Sequence, residues 1–362
     1  MYQKKARIKD IAGMAGVSTG TVDRVLHKRN GVAAGTVEKV MGIVKKLNYS
    51  PDFLAQSLKT RKTIRLVSLL PYSTGRNSFW EKHTLGLIKA VQELNPFPLT
   101  LTQVNFKMTD GNDFRKKARE VISLSPDGVI FAPVYKSESL LFCKSLTRAK
   151  IPFVFVDVFI EDSGFLSYVG EDIFQSGMVA GRLTDLVTPE NNDILIINIG
   201  NDIRNVRHLA SRTAGFLNYF RKSGRNTGKK IKLNIPDSGY KNIKDSIDNA
   251  FEKYPRIASV FITDSKSYKI ASYLKNNNLN SINLIGYDLL DANIVYLKSG
   301  IIKFLINRRP EEQTYKAVKN LFEFISLNKV PEKIEYLPID IVTTENVDYF
   351  INTPVKNELI SN

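Results

Sequence analysis

Two carboxylates in this 362-residue chain stand at the ends of short apolar runs. Asp157 ends the run 153–157, and Asp288 directly follows the run 283–287. Both runs have the length and composition of buried β-strands. Because the strand ends of an open α/β sheet converge on one cleft, the two carboxylates are expected to meet there. Carboxylate oxygens accept hydrogen bonds from hydroxyl groups, so a polyhydroxylated small molecule would suit this cleft.

A second group of polar residues occupies one side of a short predicted helix near the N-terminus. Apolar residues at positions 8, 11, 12, 14 and 15 predict a first helix, which Gly16 can end, and Ser18 can cap the next one. The inward face of that second helix is marked by the spacing of Val22, Val25 and Leu26. Its outward face then carries Thr19, Gly20, Asp23 and Arg24. This is helix-turn-helix geometry, and an outward arginine is the natural bidentate partner of a guanine.

The charge distribution points to the same segment. The chain has a net charge of +16, and residues 1–62 alone carry 13 Lys and Arg against four Asp and Glu. A dense basic head on a nearly balanced body favours a polyanion as the partner of the head. A solubilising surface would give the same charge, so the charge alone leaves both interpretations open.

Several classes of function find no support in the sequence. Cys143 is the only cysteine and lies in an apolar stretch, so a disulfide framework is excluded and a thiolate metal cluster is not expected. Neither a glycine-rich nucleotide loop nor a paired-histidine zinc motif nor a catalytic triad is evident. We therefore expect no cofactor and no enzyme activity. No apolar run reaches the roughly 18 residues of a membrane span, and no secretory signal is evident, so we expect a cytoplasmic protein without a membrane partner.

The elements that would position these residues follow two patterns. A third apolar stripe, from Val37 to Leu47, completes a predicted three-helix head. From Ile64 onward, short apolar runs alternate with amphipathic windows, which predicts an α/β body of parallel sheets with helices on both faces. The predicted strands are 65–70, 99–106, 128–132, 153–157, 194–199, 231–235, 259–263 and 283–287. The predicted helical windows include 84–94, 114–123, 177–187, 213–221 and 268–275.

The head closely resembles that of the lac repressor (LacI/GalR) family of bacterial regulators over nearly every position from Arg7 to Leu58. The motifs that carry this resemblance are Ile8-Lys9-Asp10-Ile11-Ala12, Ala15-Gly16-Val17-Ser18, Thr21-Val22, Arg24-Val25-Leu26 and Leu47-Asn48-Tyr49-Ser50-Pro51. The resemblance implies that Thr19, Gly20 and Arg24 read bases in the major groove of operator DNA. The further DNA contacts that it implies are Arg7, Ser18, Thr21, Asp23 and His27.

The head departs from the family pattern at three positions. Asp23 stands in place of a serine that usually contacts phosphate. Ala33 stands in place of the serine that caps the third helix, which should cost about 1 kcal/mol. Arg7 replaces a capping threonine. In addition, Gly20 costs about 1 kcal/mol relative to alanine inside a helix, which either close approach to DNA or simple tolerance would explain.

The same resemblance implies a hinge helix and linker over residues 51–62. A proline after Ser50 is typical of a helix start, and so short a helix is unstable in isolation. Hinges of this family fold on operator DNA and pair across a homodimer, and a leucine from each wedges into the minor groove. The matching residues here are Ala55 at the groove floor and Leu58 as the wedge.

The body, from about Ile64 to Leu337, resembles the periplasmic sugar-binding-protein fold that this family shares, in which two lobes close over a ligand. The ligand positions that this resemblance implies are Tyr72, Phe79, Trp80, Asp157, Arg212, Thr263, Asp264, Asp288 and Arg308. Trp80 could instead be a core residue, and Asp264 could only cap the following helix. Arg308 stands where a glutamine is common and, together with Arg212, favours a phosphorylated or acidic sugar. An internal salt bridge around a neutral sugar would also suit this arginine.

Together these features predict a DNA-binding transcriptional regulator, a repressor, whose operator affinity is controlled by a sugar or sugar derivative. The rival interpretations are an enzyme on a doubly wound fold with an appended head, and a pure sugar-binding protein, against which the basic head counts. The predicted domains are a helix-turn-helix head (1–50), the hinge (51–62), a two-lobed effector domain (63–350) and a C-terminal tail (351–362).

Overall fold

A computed structural model describes residues 8–26, 31–47, 63–73, 78–200, 207–237 and 239–351. The predicted DNA contacts Arg7, His27, Ala55 and Leu58 lie outside the described residues, as do the hinge and the tail beyond residue 351. The chain divides into two compact units, which are residues 1–62 with 96–98, and residues 63–95 with 99–362.

The described part of the head contains the three predicted helices, which are α1 (Ile8–Ala15), α2 (Thr19–Leu26) and α3 (Ala34–Lys46). Ile11 and Val22 are completely buried between them. Gly16 has a φ of 67°, the left-handed conformation that ends a helix. The Ser18 hydroxyl oxygen accepts a hydrogen bond from the backbone N–H of Thr21 at 3.1 Å and so caps α2. The predicted helix-turn-helix fold of the head is therefore confirmed.

The body is built from alternating strands and helices. Its first elements are β1 (Ile64–Pro71), α4 (Phe79–Glu93), β2 (Leu99–Phe106), α5 (Gly111–Ser123), β3 (Gly128–Phe131), α6 (Lys136–Arg148), β4 (Phe153–Val156) and β5 (Ser167–Gly170). They are followed by α7 (Ile173–Val187), β6 (Asp193–Ile199), α8 (Arg207–Ser223), β7 (Lys230–Ile235), α9 (Gly239–Lys253), β8 (Ile257–Ile262), α10 (Ser267–Asn276), β9 (Asn283–Tyr287), α11 (Asp291–Lys298) and β10 (Ile302–Asn307). The last described elements are α12 (Pro310–Leu327), β11 (Ile334–Tyr336), β12 (Asp340–Val342) and α13 (Val347–Ile351).

These elements form two lobes, each around one six-stranded sheet. The strand order is β11-β5-β4-β3-β1-β2 in the first lobe and β12-β10-β9-β8-β6-β7 in the second. The paired strands are parallel except β10 and β12, which are antiparallel. The chain passes between the lobes three times, after β5, after β10 and after β11. The expected two-lobed α/β fold is confirmed.

The central strands are unbroken apolar runs in the sequence because they are buried on both faces of the sheets. Every residue of β3, β4 and β6 is buried, because helices cover both faces of these parallel sheets. Cys143 is buried in the core of the first lobe, as its apolar neighbours predict. Polar side chains are therefore left to the loops that follow the strands. Three of these loops hold Asp157 after β4, Asp288 after β9 and Arg308 after β10.

Two close helix contacts hold the site in place. A Cβ atom on Gly177 of α7 would lie 2.1 Å from the carbonyl oxygen of Arg212, and one on Gly215 of α8 would lie 2.0 Å from the backbone of α7. The two helices therefore touch backbone to backbone, which fixes the origin of the Arg212 side chain. In the same way, a Cβ atom on Gly86 of α4 would lie 2.0 Å from the Glu311 carbonyl oxygen of α12.

Candidate functional site

The outward face of α2 is exposed as the sequence predicts. Thr19, Gly20 and Arg24 are exposed, while Thr21 and Asp23 are half-buried. A Cβ atom on Gly20 would meet only the Ser18 hydroxyl at 3.7 Å, so packing within the head does not require glycine there. That leaves close approach to a partner, or simple tolerance, as the reason for the glycine. No side chain caps α3 at Ala33, in agreement with the loss of the usual serine.

In the body, Asp157, Asp288 and Arg308 form one buried cluster, here called the strand-end cluster. Arg308 donates to both carboxylate oxygens of Asp288, from Nε at 3.0 Å and from Nη2 at 2.5 Å. Its Nη1 donates to Asp157 Oδ1 at 3.0 Å. Both aspartates have left-handed backbone conformations, with φ of 67° and 68°. Because Asp157 belongs to the first lobe and Asp288 to the second, Arg308 joins the strand ends of both lobes.

Gln313 supports this cluster from α12 and was not expected from the sequence. Its side-chain oxygen accepts a hydrogen bond from the Asp157 backbone N–H at 2.8 Å. Its side-chain nitrogen donates to the Arg308 carbonyl oxygen at 2.8 Å. The completely buried amide of Gln313 thus fixes both residues that form the link between the lobes. The sequence feature that could have indicated Gln313 is its position near the start of the helix that begins two residues after Arg308.

The aromatic residues have different surroundings. The Phe79 ring lies under the Arg308 guanidinium, with 3.9 Å from Cζ to the ring centroid. Trp80 is 8% exposed and stacks on His83 with 5.0 Å between ring centroids, so its interpretation as a core residue is the better one. Tyr72 is 49% exposed at the end of β1. Of the three predicted aromatic residues, Phe79 is the one whose ring packs against the strand-end cluster within the described part of the chain.

Arg212 is completely buried and forms a second ionic group. Its side chain donates to the Glu171 carboxylate and to the carbonyl oxygen of Thr263. The guanidinium also lies over the Tyr287 ring at 4.1 Å. Glu171 was not among the predicted residues, because it follows β5, a strand too short and polar to be recognised from its pattern. Glu171 Oε2 and Arg212 Nε are buried without a hydrogen-bond partner within the described residues.

Thr263 and Asp264 hold the loop after β8. The buried Thr263 hydroxyl donates to Asn198 Oδ1 at 2.5 Å. Asp264 accepts from the backbone N–H groups of Ile199 at 3.2 Å and Lys266 at 2.8 Å. Asp264 is not the N-cap residue of the following helix, since Lys266 occupies that position. Burial raises the pKa of Asp264, against the opposing effects of these hydrogen bonds and of nearby cations.

The two buried arginines do not leave a net positive charge around the strand-end cluster, because buried carboxylates lie beside them. Burial raises the pKa of Asp157, although the neighbouring cations of Arg308 and Arg212 oppose this. Burial alone would lower the pKa of Arg308, but Asp288 and Asp157 raise it. Both arginines are engaged by three carboxylates, those of Asp157, Glu171 and Asp288. The expectation that Arg308 favours an acidic or phosphorylated sugar therefore loses its basis, because its charge is already compensated.

Two further properties concern the described ranges as a whole. They contain no helix long and apolar enough to cross a membrane. They also contain no group of three His, Cys, Asp or Glu side chains arranged to hold a metal ion.

Comparison with known proteins assigns a class to each unit. Residues 67–329 match the family model of a periplasmic binding protein domain. Residues 7–52 match the family model of bacterial regulatory proteins of the lacI family. A helix-turn-helix head joined to such a domain defines a class of DNA-binding transcriptional regulators. The chain therefore belongs to the periplasmic binding protein domain family over residues 67–329, and it carries a lacI-type DNA-binding domain at its N-terminus.

Individual relatives agree with this assignment. EndR from Paenibacillus polymyxa, named as an HTH-type transcriptional regulator, is 26% identical over 295 residues, which are 78% of this chain and 80% of that protein. The HTH-type transcriptional repressor PurR from Vibrio cholerae is 51% identical over 69 residues, and the chain spans only 20% of its length. The crystal structure of a protein described as a LacI transcriptional regulator from Bacteroides fragilis has a TM-score of 0.75 at 29% identity, with 80% of this chain and 99% of that chain covered.

The fold is shared more widely. GanP from Geobacillus stearothermophilus, described as a glucose-galactose binding protein, has a TM-score of 0.69 at 21% identity, with 79% of this chain and 99% of that chain covered. At this identity the likeness concerns the fold of the body alone.

Proposed function

We propose that this chain is a lacI-family regulator, that it binds an operator in the cytoplasm as a homodimer and acts as a repressor, and that a sugar or sugar derivative bound between its lobes controls the operator affinity. The observation that carries the proposal is the strand-end cluster, in which Arg308 joins Asp157 of one lobe to Asp288 of the other. A ligand that reaches these groups acts on both lobes at once.

The likeness to a glucose-galactose binding protein supports a sugar as the class of ligand. The chemistry of the cleft agrees with this class. Asp157 and Asp288 can accept hydrogen bonds from paired hydroxyls, and Phe79 can cover the apolar face of a ring. Arg212, which donates to the Thr263 carbonyl oxygen, belongs with Thr263, Tyr72 and Asp264 to the further ligand positions that we propose. The ligand can change DNA affinity only through a difference in its affinity for two arrangements of the lobes.

For the head we propose direct base reading by Thr19, Gly20 and Arg24, whose exposure supports the assignment. Ser18, Thr21 and Asp23, together with the positions Arg7 and His27, complete the proposed contacts with the DNA. The hinge residues Ala55 and Leu58 are proposed to enter the minor groove. One reading helix per chain needs two half-sites for useful specificity, and this supports a homodimer on a pseudo-palindromic operator.

The test measures operator binding by the head and its dependence on a sugar bound by the body in one assay. Operator sequences are selected from random DNA with the full-length protein, and the protected site is mapped by footprinting. Operator affinity is then measured with and without a panel of neutral, amino and acidic sugars, and for Asp288→Asn beside the parent protein. We expect a symmetric footprint and at least one sugar that shifts the affinity in the parent but not in the variant. An asymmetric single half-site, or chemical turnover of a bound sugar, would contradict the proposal.

A further inference from the structure

The guanidinium of Arg308 lies where a ligand of the cleft would make its contacts. One of its faces covers the Phe79 ring at 3.9 Å. Its edge donates to both oxygens of Asp288 and to Asp157 Oδ1. These three partners are the same groups that the proposed function assigns to the effector. A ligand that uses them therefore has to displace the Arg308 side chain.

Displacement has an electrostatic consequence. The side chains of Asp157 and Asp288 are only 6% and 1% exposed, and Arg308 is the one cation with an ion pair to either of them among the described residues. Glu171 adds a third buried carboxylate, whose own partner is Arg212. Removing the cation from a buried ion pair is strongly destabilising, because it leaves an uncompensated charge in a medium of low polarity. A neutral or acidic ligand in the place of Arg308 would leave that charge uncompensated.

A positively charged ligand would restore the balance. An ammonium group can donate three hydrogen bonds to carboxylates, and a cation over an aromatic face is attracted by the ring. A hydroxyl group both donates and accepts, and the unpaired Glu171 Oε2 and Arg212 Nε offer one acceptor and one donor in the same buried region. The surroundings of Arg308 thus combine a cation position with a partner for a hydroxyl.

We propose, building on the proposed function above, that the effector is an amino sugar and that its ammonium group takes the place of the Arg308 guanidinium between Phe79 and the two strand-end aspartates. Arg308 is then an internal stand-in for the ligand, which holds Asp157 and Asp288 together until the amino sugar displaces it. The contact between the lobes is then made by the ammonium group of the effector in place of the Arg308 guanidinium.

The experiment uses full-length Arg308→Ala and calorimetry with three probes. The first is methylguanidinium, which carries the guanidinium group that the substitution removes. The other two are D-glucosamine and D-glucose, which share a ring and differ by an amino group. We expect the variant to bind methylguanidinium, and to bind D-glucosamine more tightly than D-glucose by about tenfold, which corresponds to about 1.4 kcal/mol. In the parent, methylguanidinium should not bind, because Arg308 occupies its position.

The matched control is Arg309→Ala. Arg309 carries the same charge one residue further on, but its partners are Asp340 and Glu312, outside the strand-end cluster. This control should gain no affinity for methylguanidinium. Should Arg308→Ala fail to fold, Arg308→Gln removes the same charge with a smaller loss of volume and is tested in the same way.

The outcomes separate this inference from the proposed function. A folded Arg308 variant that does not bind methylguanidinium, or that binds D-glucose as tightly as D-glucosamine, would overturn the inference. If a neutral sugar shifts the operator affinity of the parent without displacing the Arg308 side chain, the proposed function stands and the amino-sugar inference fails. If methylguanidinium binds the variant but no sugar affects operator binding, the cation position stands and the proposed function fails.

Discussion

His83 packs against Phe79 and Trp80, and because it is a buried histidine without hydrogen-bond partners for its ring nitrogens within the described residues, it links the stability of the protein to pH. Its imidazole is completely buried on α4, and neither ring nitrogen has a hydrogen-bond partner within the described residues. Burial, with the Arg308 cation as a second cause, lowers the pKa of His83 from 6.5 to about 3. The folded protein therefore keeps this ring neutral over the pH range in which the unfolded chain becomes protonated.

Proton linkage determines whether His83 makes the protein more or less stable as the pH falls. The pKa of His83 is depressed in the folded state, so between pH 6.5 and about 3 the unfolded chain binds the additional proton. The stability contributed by the neutral ring is fully present above the unfolded pKa and is lost as the pH falls through that window. One pKa unit corresponds to about 1.4 kcal/mol, so the whole shift is worth about 5 kcal/mol, of which about 2 kcal/mol is lost by about pH 5.

His83→Leu removes the titrating group and both unpaired nitrogens. We expect the variant to be more stable than the parent by about 1–3 kcal/mol near neutral pH, because a buried polar group without a partner is costly. The difference should grow by about 2 kcal/mol at about pH 5. The measurement is urea unfolding of both proteins at each pH. Taking the difference between them cancels the titration of the carboxylates that they share.

The matched control is His83→Gln, which keeps a buried polar side chain but cannot titrate in this range. It should lose the extra pH dependence without gaining the stability that leucine gives near neutral pH. If the parent and His83→Leu lose the same stability between about pH 8 and pH 5, the folded and unfolded states protonate His83 alike and the reasoning is refuted.

Four further substitutions test other parts of the molecule. Arg24→Ala should cost about 1–3 kcal/mol of discrimination between operator and random DNA, measured by competition gel shift, while non-specific affinity is largely kept; an equal loss on all sequences would make Arg24 a phosphate contact. Leu58→Ala should reduce operator bending in a phasing assay without changing the thermal unfolding of the body. Asp157→Asn should weaken the Arg308–Asp157 ion pair that links the lobes and increase the separation of the lobes in small-angle scattering, and unchanged scattering would argue against that link. Gly177→Ala should destabilise the body by about 1–3 kcal/mol in urea unfolding, because its Cβ would meet the Arg212 carbonyl at 2.1 Å; unchanged stability would mean that α7 and α8 can separate freely.

The fold could be predicted from the sequence wherever burial leaves a local pattern. All eight predicted strands are present, with ends that differ by no more than two residues. The strands that were missed are β5, β10, β11 and β12. Three of these have only three or four residues, and two of the three, β11 and β12, pair with strands that lie more than 30 residues earlier in the chain. Glu171 was overlooked for this reason, since nothing local marks it as the residue after a strand.

The sequence predicts several residues of the site, but it does not predict which of them form ion pairs or hydrogen bonds with one another. Asp157 and Asp288 follow predicted strands, and parallel topology is enough to bring them to one cleft. Nothing in the sequence shows that Arg308 reaches an aspartate 151 residues away, or that Gln313 fixes both. Tertiary packing makes these contacts. The sequence did allow an internal salt bridge as one of two interpretations of Arg308, and that is the arrangement found.

The contact between Arg308 and Asp157 also bears on the size of any ligand effect. A ligand changes DNA affinity only by the difference in its affinity for two arrangements of the lobes, and such coupling is typically about 1–3 kcal/mol. A hydrogen bond to a charged group contributes about 1.5–3 kcal/mol. A single charge-assisted contact between the lobes is therefore of the right size to carry the whole effect. Because a ligand on the strand-end cluster competes with that contact, it would exchange one link for another, and the geometry of the new link would decide which arrangement of the lobes it favours.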